Sequence, residues 1–440
     1  MSTTTMRNVI DIPDDPAIPG LSRCAQPELM LENVRAAVAG LGVRETADYI
    51  DCTLTEAIYQ PGRACRIAYA LNVRGIDRPE IVYARWPAEN RTHASAIRVE
   101  SAGESFDLFR YPRDRRLRQV RAMRREDWLI KASAEWFRRK HGEGHFTPES
   151  WRCSPIKYVP ESRLVCRLKS EWESKAGARW CRAYVRISRR NNAADQTEIL
   201  SRLGTALNDA ACGLAVPESL GAVPRQHLLA TEFIRGRTLR DAVACASCEE
   251  VVGACRKLAS ISRQRIDLAS VPAGDDRLEP VSMLADLNAA LAQSPGSSRT
   301  LDLWARTQPA RPQVDALVHG DLHAGQVIQK NELLFVVDWD ACRLGDPTQD
   351  ITNLAAEFEY ATRLTAGAAC SRDIAAVCVE AWRAGGGAFN TRSARWWATH
   401  AFVLRAWGLL RHLRPDWRNA SSRLLERAAE IFSGGADWTE

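Results

Sequence analysis

The chain has 440 residues, 45% of them apolar and 26% charged, which is material for two or three hydrophobic cores at ~100–200 residues per domain. No uncharged apolar run reaches the ~18 residues of a membrane span, and the opening MSTTTMRNVIDIPDDP lacks the basic-then-apolar pattern of a secretion signal, so no membrane association and a cytoplasmic location are expected. Sixty basic against 54 acidic residues leave a net charge of +6, too small an excess to point to nucleic acid.

Only seven of the basic residues are lysines, so arginine dominates; clusters such as 113–116 and 138–140 are broken by or flanked with acids and apolar residues, the habit of solvated helix faces. The 13 cysteines lie mostly inside apolar stretches, as Cys65, Cys166, Cys181 and Cys378 do, and read as reduced core thiols. Cys245-Ala-Ser-Cys248 is the one C-x-x-C, without the second pair or histidine spacing of a zinc site.

In chain order, a polar, proline-punctuated stretch over 1–20 reads as a flexible leader. Helical periodicity over 28–41 gives way to strand-like pieces at 56–59, 65–71 and 80–86, joined through Gln60-Pro-Gly62 and Val73-Arg-Gly-Ile-Asp77. The same arrangement returns about a hundred residues later: Tyr59-Gln-Pro61-Gly-Arg63-Ala-Cys65-Arg66 matches Tyr158-Val-Pro160-Glu-Ser-Arg163-Leu-Val-Cys166-Arg167 with two one-residue slips. In each copy a hairpin follows whose second strand carries a central arginine, Arg85 and Arg186. A duplicated β-lobe inside 21–147 is one reading, and a chance match of two arginine-rich hairpins the other. Residues 122–141 read as a helix, 141–148 as a boundary loop, 193–211 as a helix and 227–234 as a strand. From 237 to 440 the chain is mainly helical; 238–262 is one such stretch, and Trp396, Trp397, Trp407 and Trp417 fall on the last helices as core or groove-lining residues.

The chemistry concentrates in 315–350. An apolar strand runs into His319-Gly320-Asp321-Leu322-His323-Ala-Gly325-Gln326, and a second one, 333–337, ends in Asp338-Trp339-Asp340. Carboxylates at strand ends stand over a cleft, where a general base and a metal site are built. An Asp followed five positions later by a carboxamide, then a strand-terminal Asp, is the kinase arrangement of catalytic base, metal ligand and second metal ligand, with the oxygen donors that Mg²⁺ prefers. His319 and His323 also form H-x-x-x-H, but zinc binding through that spacing needs a helix, which a Gly-rich turn does not supply. A purely structural acidic turn is the remaining alternative.

These residues, with Leu344-Gly345-Asp346-Pro347-Thr-Gln-Asp350 beyond them, resemble the aminoglycoside phosphotransferase and choline kinase superfamily, in its maltokinase-like variant H-G-D-x-H-x-G-Q. The resemblance implies an α+β, protein-kinase-like bilobal fold with a β-rich N-lobe over 148–236 and a helical C-lobe over 237–440, preceded here by an extra β-containing N-terminal region. It implies a small-molecule kinase using ATP and Mg²⁺, with Asp321 as catalytic base, Gln326 and Asp338 as metal ligands and His319 supporting the loop. It further implies Asp340 as a neighbouring or substrate-side carboxylate, Asp346 as a structural acid bonding loop amides, and Glu232, Phe233 and Ile234 as the hinge meeting adenine. Asp350 reads as the cap of the next helix.

Two positions depart from the pattern. Gln326 stands where most members have Asn, one methylene longer but with the same carbonyl oxygen. Arg186 stands where the resemblance places a lysine that pairs with phosphates and with a helix glutamate such as Glu198, and no Gly-rich phosphate loop precedes it. Arginine's planar fork is no geometric equivalent of an ammonium, so Arg186 is read both as a phosphate contact and as a solvated strand residue. The function expected is phosphorylation of a hydroxyl of a small molecule; the competing reading is a non-catalytic binding or scaffold protein on a kinase-like fold. With nine acids against eleven arginines in 351–440, a sugar or polyol is favoured over an aminoglycoside, with Trp396 and Trp397 as stacking faces.

Overall fold

Strands that alternate buried and exposed positions build the N-terminal half and helices build most of the rest; the computed structural model describes residues 11–39, 48–87, 93–101, 103–124, 126–175, 177–209, 212–241, 248–264, 280–291, 298–309, 316–364, 374–435 and 438. Helix α1 (Pro27–Ala39) leads into β1 (Tyr49–Gln60), β2 (Ala64–Val73), β3 (Glu80–Trp86), β4 (Ala96–Ser101) and β5 (Glu104–Arg110), an antiparallel sheet ordered β1-β2-β3-β5-β4. Helix α2 (Glu126–His141) precedes β6 (His145–Val159), β7 (Arg163–Ser174) and β8 (Gly177–Ser188). After α3 (Ala193–Asp209) and a short β9 (Leu214–Ala215), β10 (Ser219–Val223) and β11 (Leu228–Glu232) complete a second antiparallel sheet, ordered β10-β11-β8-β7-β6.

The chain then passes through β12 (Arg237–Thr238) into a helical lobe: α4 (Cys248–Leu258), α5 (Pro280–Leu291) and α6 (Ser298–Arg306), then β13 (Ala316–Val318), β14 (Val327–Lys330), β15 (Leu333–Val336) and β16 (Arg343–Gly345), then α7 (Thr348–Leu364), α8 (Ile374–Ala384), α9 (Thr391–Arg411) and α10 (Trp417–Phe432). Strands β12, β14, β15 and β9 form a small sheet that ties the two halves together, because β9 comes from the β-rich part and pairs in parallel with β15.

Period-2 side-chain alternation explains what each sheet presents. In β8, Cys181, Ala183, Val185 and Ile187 are buried, which turns Arg182, Tyr184 and Arg186 to the opposite face. The first sheet behaves differently, since β2 is buried almost throughout. Both its faces are covered. Ala68, Tyr83 and Phe109 share a core with Trp136, Leu164, Cys166 and Leu168 of the second β-lobe. Ile67, Tyr69, Ala84 and Trp86 belong to the core that includes Phe402, Leu410 and Trp417 of the helical lobe. The N-terminal lobe is thus wedged between the other two.

The architecture is α+β, a β-rich half followed by a helical lobe, and several local expectations need correction. Strands β4 and β5, not among the expected elements, include a buried acid, Asp107, paired with Arg98 at 2.7 Å. Within the expected leader, Ile12 and Ile18 are buried in the main core, so 11–20 is packed chain. The expected boundary loop is in part strand, since β6 begins at His145. In 238–262 the described helix starts at Cys248; Cys245, the first cysteine of the C-x-x-C motif, lies outside the described residues. The nine cysteines whose side chains are described are free thiols, seven of them buried.

One joint between wedge and helical lobe is titratable. His412, just past α9, donates through Nδ1 to Glu56 Oε1 on β1 at 2.7 Å. Burial alone would raise the Glu56 carboxyl, but the His412 hydrogen bond and the charges of Lys157, His412 and Arg414 bring it below its ordinary 4.5. A depressed carboxylate stabilises the fold above its unfolded-state value and loses that contribution as the pH falls through the native one. The urea midpoint should therefore drop below about pH 4.5, and Glu56→Gln should lower stability at pH 7 while flattening that acid slope. An unchanged slope in the variant would remove Glu56 from the account.

Candidate active site

The site forms where β13 and the β14–β15 hairpin end in tight turns. Strand β13 delivers His319-Gly320-Asp321, and Gly320 has φ +84, with any Cβ there falling 2.4 Å from the carbonyl oxygen of Ala341. Only glycine fits that approach. Two backbone amides of the turn point inward and are met by one fully buried carboxylate: the N–H groups of His319 and Gly320 donate to Asp350 Oδ2 and Oδ1 at 2.7 and 2.9 Å. Burial raises the Asp350 carboxyl above the usual aspartate range, while His319 and the two amides pull it down.

His319 is completely buried and links this turn to the hairpin. Its Nε2 donates to the carbonyl of Val337 at 3.0 Å, its Nδ1 faces the N–H of Asp321 at 3.4 Å, and its ring lies 4.6 Å from that of Trp339. Across the hairpin Val327 pairs with Val336, and the Val337 N–H donates to the Gln326 carbonyl at 2.9 Å. Gln326 and Asp338 are thereby brought to the same open end. Asp338 adopts φ 66, ψ 56, a left-handed conformation that a non-glycine residue rarely holds unless its surroundings impose it.

Gln326 is 5% exposed, and its Nε2 donates to Asp321 Oδ2 at 3.3 Å. Because an ionised carboxylate only accepts, the amide must turn its NH₂ to Asp321 and its carbonyl away. That oxygen, Oε1, is buried and has no hydrogen-bond partner. A buried acceptor left bare costs about 1–3 kcal/mol, and an oxygen-seeking cation would satisfy it. Among the described residues no three His, Cys, Asp or Glu side chains gather as a metal site; the donor set on offer is the Gln326 oxygen with the Asp338 carboxylate.

Arg186 reaches this acidic end from β8. Its Nη1 donates to Asp340 Oδ2 at 2.6 Å and Asp338 Oδ1 at 3.2 Å, so it faces the site instead of open solvent. Glu198, expected opposite it, pairs with Arg202 one turn along α3 at 2.6 Å. Burial raises the Asp340 carboxyl above its usual range against the pull of Arg186, with Asp338 adding to the rise.

Further residues take places that the motif did not assign. Arg163, the first residue of β7, lies 3.7 Å from Asp338 Oδ2; its signal was its position just after the turn that the two sequence copies share. Beneath the turn, Glu357 accepts from Arg240 at 2.7 Å and from the Ala324 amide, and Arg405 bonds the Asn353 carbonyl, whose side chain in turn donates to the Leu322 carbonyl at 2.8 Å. Burial alone would raise the Glu357 carboxyl, but Arg405 and Arg240 hold it below its ordinary range. Burial holds the His323 imidazole below its ordinary pKa, and its Nδ1 accepts from the Gly325 amide at 3.1 Å.

Two expectations change, those for Asp350 and for the Trp396–Trp397 pair. Asp350 does not cap α7 but holds the turn amides; Asp346 bonds the Thr348 amide at 3.0 Å and also accepts from Ser393 and from Trp397 Nε1 at 3.1 Å. Trp396 and Trp397, read as stacking faces, are buried in a cluster with Trp304 and His400, because their N–H groups find partners inside the lobe at Thr307 and Asp346. At the hinge, the Glu232 N–H is used by the Glu218 carbonyl at 2.9 Å and its side chain faces Lys140 at 3.3 Å. Ile234 joins Ala215, Phe335 and Ile328 in a small apolar cluster separate from both main cores, and Phe233 packs on Tyr184 at 4.9 Å.

The phosphotransferase enzyme family matches residues 167–397. No curated protein matches the chain. Among solved structures it is similar to a macrolide 2′-phosphotransferase from Brachybacterium faecium, at 18% identity over 71% of this chain and 99% of that one, TM-score 0.40. A thermostable mutant of an aminoglycoside phosphotransferase, in ternary complex with AMP-PNP and hygromycin B, matches at 16% identity over 69% and 99%, TM-score 0.43. Choline kinase from Cryptosporidium parvum matches at 10% identity over 70% and 95%, TM-score 0.42.

Replacing Asp350 with Ala strips two buried amides of their acceptor, at about 1–3 kcal/mol each. Asp350→Ala should lower unfolding free energy by about 2–5 kcal/mol, read from denaturant midpoints. A change under about 1 kcal/mol would mean that water or another group takes its place.

Proposed function

Because the chain belongs to the phosphotransferase enzyme family, we propose that it is an ATP- and Mg²⁺-dependent kinase that phosphorylates a hydroxyl of a small molecule in the cleft between its β-rich and helical parts. The observation that carries the reading is the pairing of Asp321 with Gln326, whose carboxamide steadies the acid through its NH₂ and leaves a buried, unpartnered oxygen on the other side. Asp321 accepts the proton of the attacking hydroxyl. Gln326 and Asp338 would hold Mg²⁺, which when bound neutralises charge on the nucleotide phosphates. His319 and Asp350 fix the turn so that Asp321 keeps its place, and the apolar cluster of Ala215, Ile234, Ile328 and Phe335 would receive the adenine ring.

For the acceptor, a neutral sugar or polyol fits better than a polycation. The nine acids of 351–440 are balanced by eleven arginines, and two of them, Glu357 and Glu359, are buried against Arg240 and Arg427. The non-catalytic reading draws on Arg186, whose guanidinium occupies both Asp338 and Asp340. For catalysis, that arginine has to turn from the carboxylates to the phosphates once metal arrives, a task its five donors and fixed charge allow.

Turnover with ATP, Mg²⁺ and a panel of sugars, amino-alcohols and aminoglycosides tests the reading directly. Asp321→Asn should reduce kcat by about 10²–10⁴-fold with the fold retained, since it removes the base and keeps the shape. Parent-rate turnover in that variant would refute the role. Gln326→Asn should keep measurable activity and Gln326→Leu should lose most Mg²⁺-supported turnover; a fully active Leu variant would show that the carboxamide oxygen is not used. ATP titrated into Asp338→Ala, with and without Mg²⁺, separates kinase from scaffold. Metal-independent, unchanged binding favours the scaffold.

A further inference from the structure

The two β-lobes match more closely in space than in sequence. Their strand orders are the same, with β1-β2-β3-β5-β4 in one and β6-β7-β8-β11-β10 in the other. Tyr59 pairs with Cys65 and Tyr158 with Leu164, so the two first hairpins have turns of equal length and need neither slip. One residue further on, Arg66 faces Arg85 and Val165 faces Arg186. Arg85 therefore occupies in the first lobe the place that Arg186 occupies in the second. At the turn apex Gly62 with φ +67 corresponds to Glu161 with φ +61.

A glutamate where the other copy has glycine carries a backbone cost, so the side chain is what the position requires. Gly62 is exposed, with nothing near its Cβ position, whereas Glu161 is 2% exposed. Its carboxylate enters the first lobe among four guanidinium groups: Arg66 at 3.5 Å, Arg116 at 3.5 Å, Arg115 at 3.6 Å and Arg85 at 3.8 Å. The backbone is fastened as well, the Glu161 N–H donating to the buried Asp114 at 2.9 Å beside the Tyr158 hydroxyl at 2.6 Å. Two residues beyond the apex, Arg163 faces Asp338.

We propose that Glu161 is a positioning residue through which the first β-lobe holds the β6–β7 turn in place over the nucleotide phosphates. The inference rests on the kinase reading above. A Gly-rich loop closes over phosphates through its own backbone; this turn is short and lacks those glycines, and it is held from behind by a neighbouring lobe, one of whose arginines, Arg85, stands at the position equivalent to Arg186. The anchor keeps Arg163 and Arg186 directed at the acidic end of the cleft, and the first lobe thereby contributes to nucleotide affinity without touching the nucleotide.

The test uses the full chain and two variants: Glu161→Gly, which relieves the backbone and removes the carboxylate, and Glu161→Gln, which keeps the bulk. Both should raise the KM for MgATP at least about fivefold with kcat within about twofold, a split that a general loss of stability would not produce. Amide hydrogen exchange of the 158–165 segment without nucleotide should rise in both. Parent-like KM with parent-like exchange overturns the inference, as does a raised KM with unchanged exchange, which would mean that Glu161 acts by charge and not by holding the turn. If the parent protein itself fails to bind MgATP, the kinase reading falls and the positioning role with it; exchange still reports whether the arginines anchor the turn.

Discussion

Burying the carboxylate of Asp350 under the His-Gly-Asp turn is the constraint from which the geometry of the cleft follows. A turn tight enough to aim Asp321 outward leaves the amides of His319 and Gly320 facing inward, where no water satisfies them. One acid on α7 meets both. Once the turn is held, the His319 ring is committed, and its bond to the Val337 carbonyl ties the end of β15 to the turn. Asp338 is then forced into its left-handed conformation beside Gln326. Three acids and a carboxamide are brought together by these bonds to the backbone, and Gln326 then donates to Asp321.

Arg186 sets the electrostatics of that convergence. A guanidinium is planar, stays charged and spreads its donors, so Arg186 can bridge Asp338 and Asp340 from a single nitrogen while Arg163 approaches from the other side. The acidic end is kept charge-compensated in the absence of ligand. Under the proposed function, a metal would replace one set of cations with another.

The first β-lobe would be a passenger if only one face of its sheet were covered. Both are, one by the second β-lobe and the other by the core of the helical lobe, and its charged groups meet partners on each side: Glu56 with His412, and four arginines with Glu161. A lobe with the same strand order as its neighbour is thereby packed as a wall against it.

The nearness of Asp321, Gln326 and Asp338 was legible in the sequence because the turn and the hairpin that carry them are local. The α+β class and most strands and helices were legible for a related reason, since alternation and 3.6-residue periodicity are properties of short segments. The burial of Asp107 was hidden because only its partner Arg98 across the sheet makes such an acid tolerable. The buried state of Trp396 and Trp397, the assignment of Asp350 to the turn amides, and the meeting of Glu161 with Arg66, Arg85, Arg115 and Arg116 join residues tens of positions apart. Periodicity carries no record of which distant group faces which. Tertiary packing decided those contacts, because the cost of leaving a buried charge, amide or indole N–H without a partner is settled only when the lobes come together.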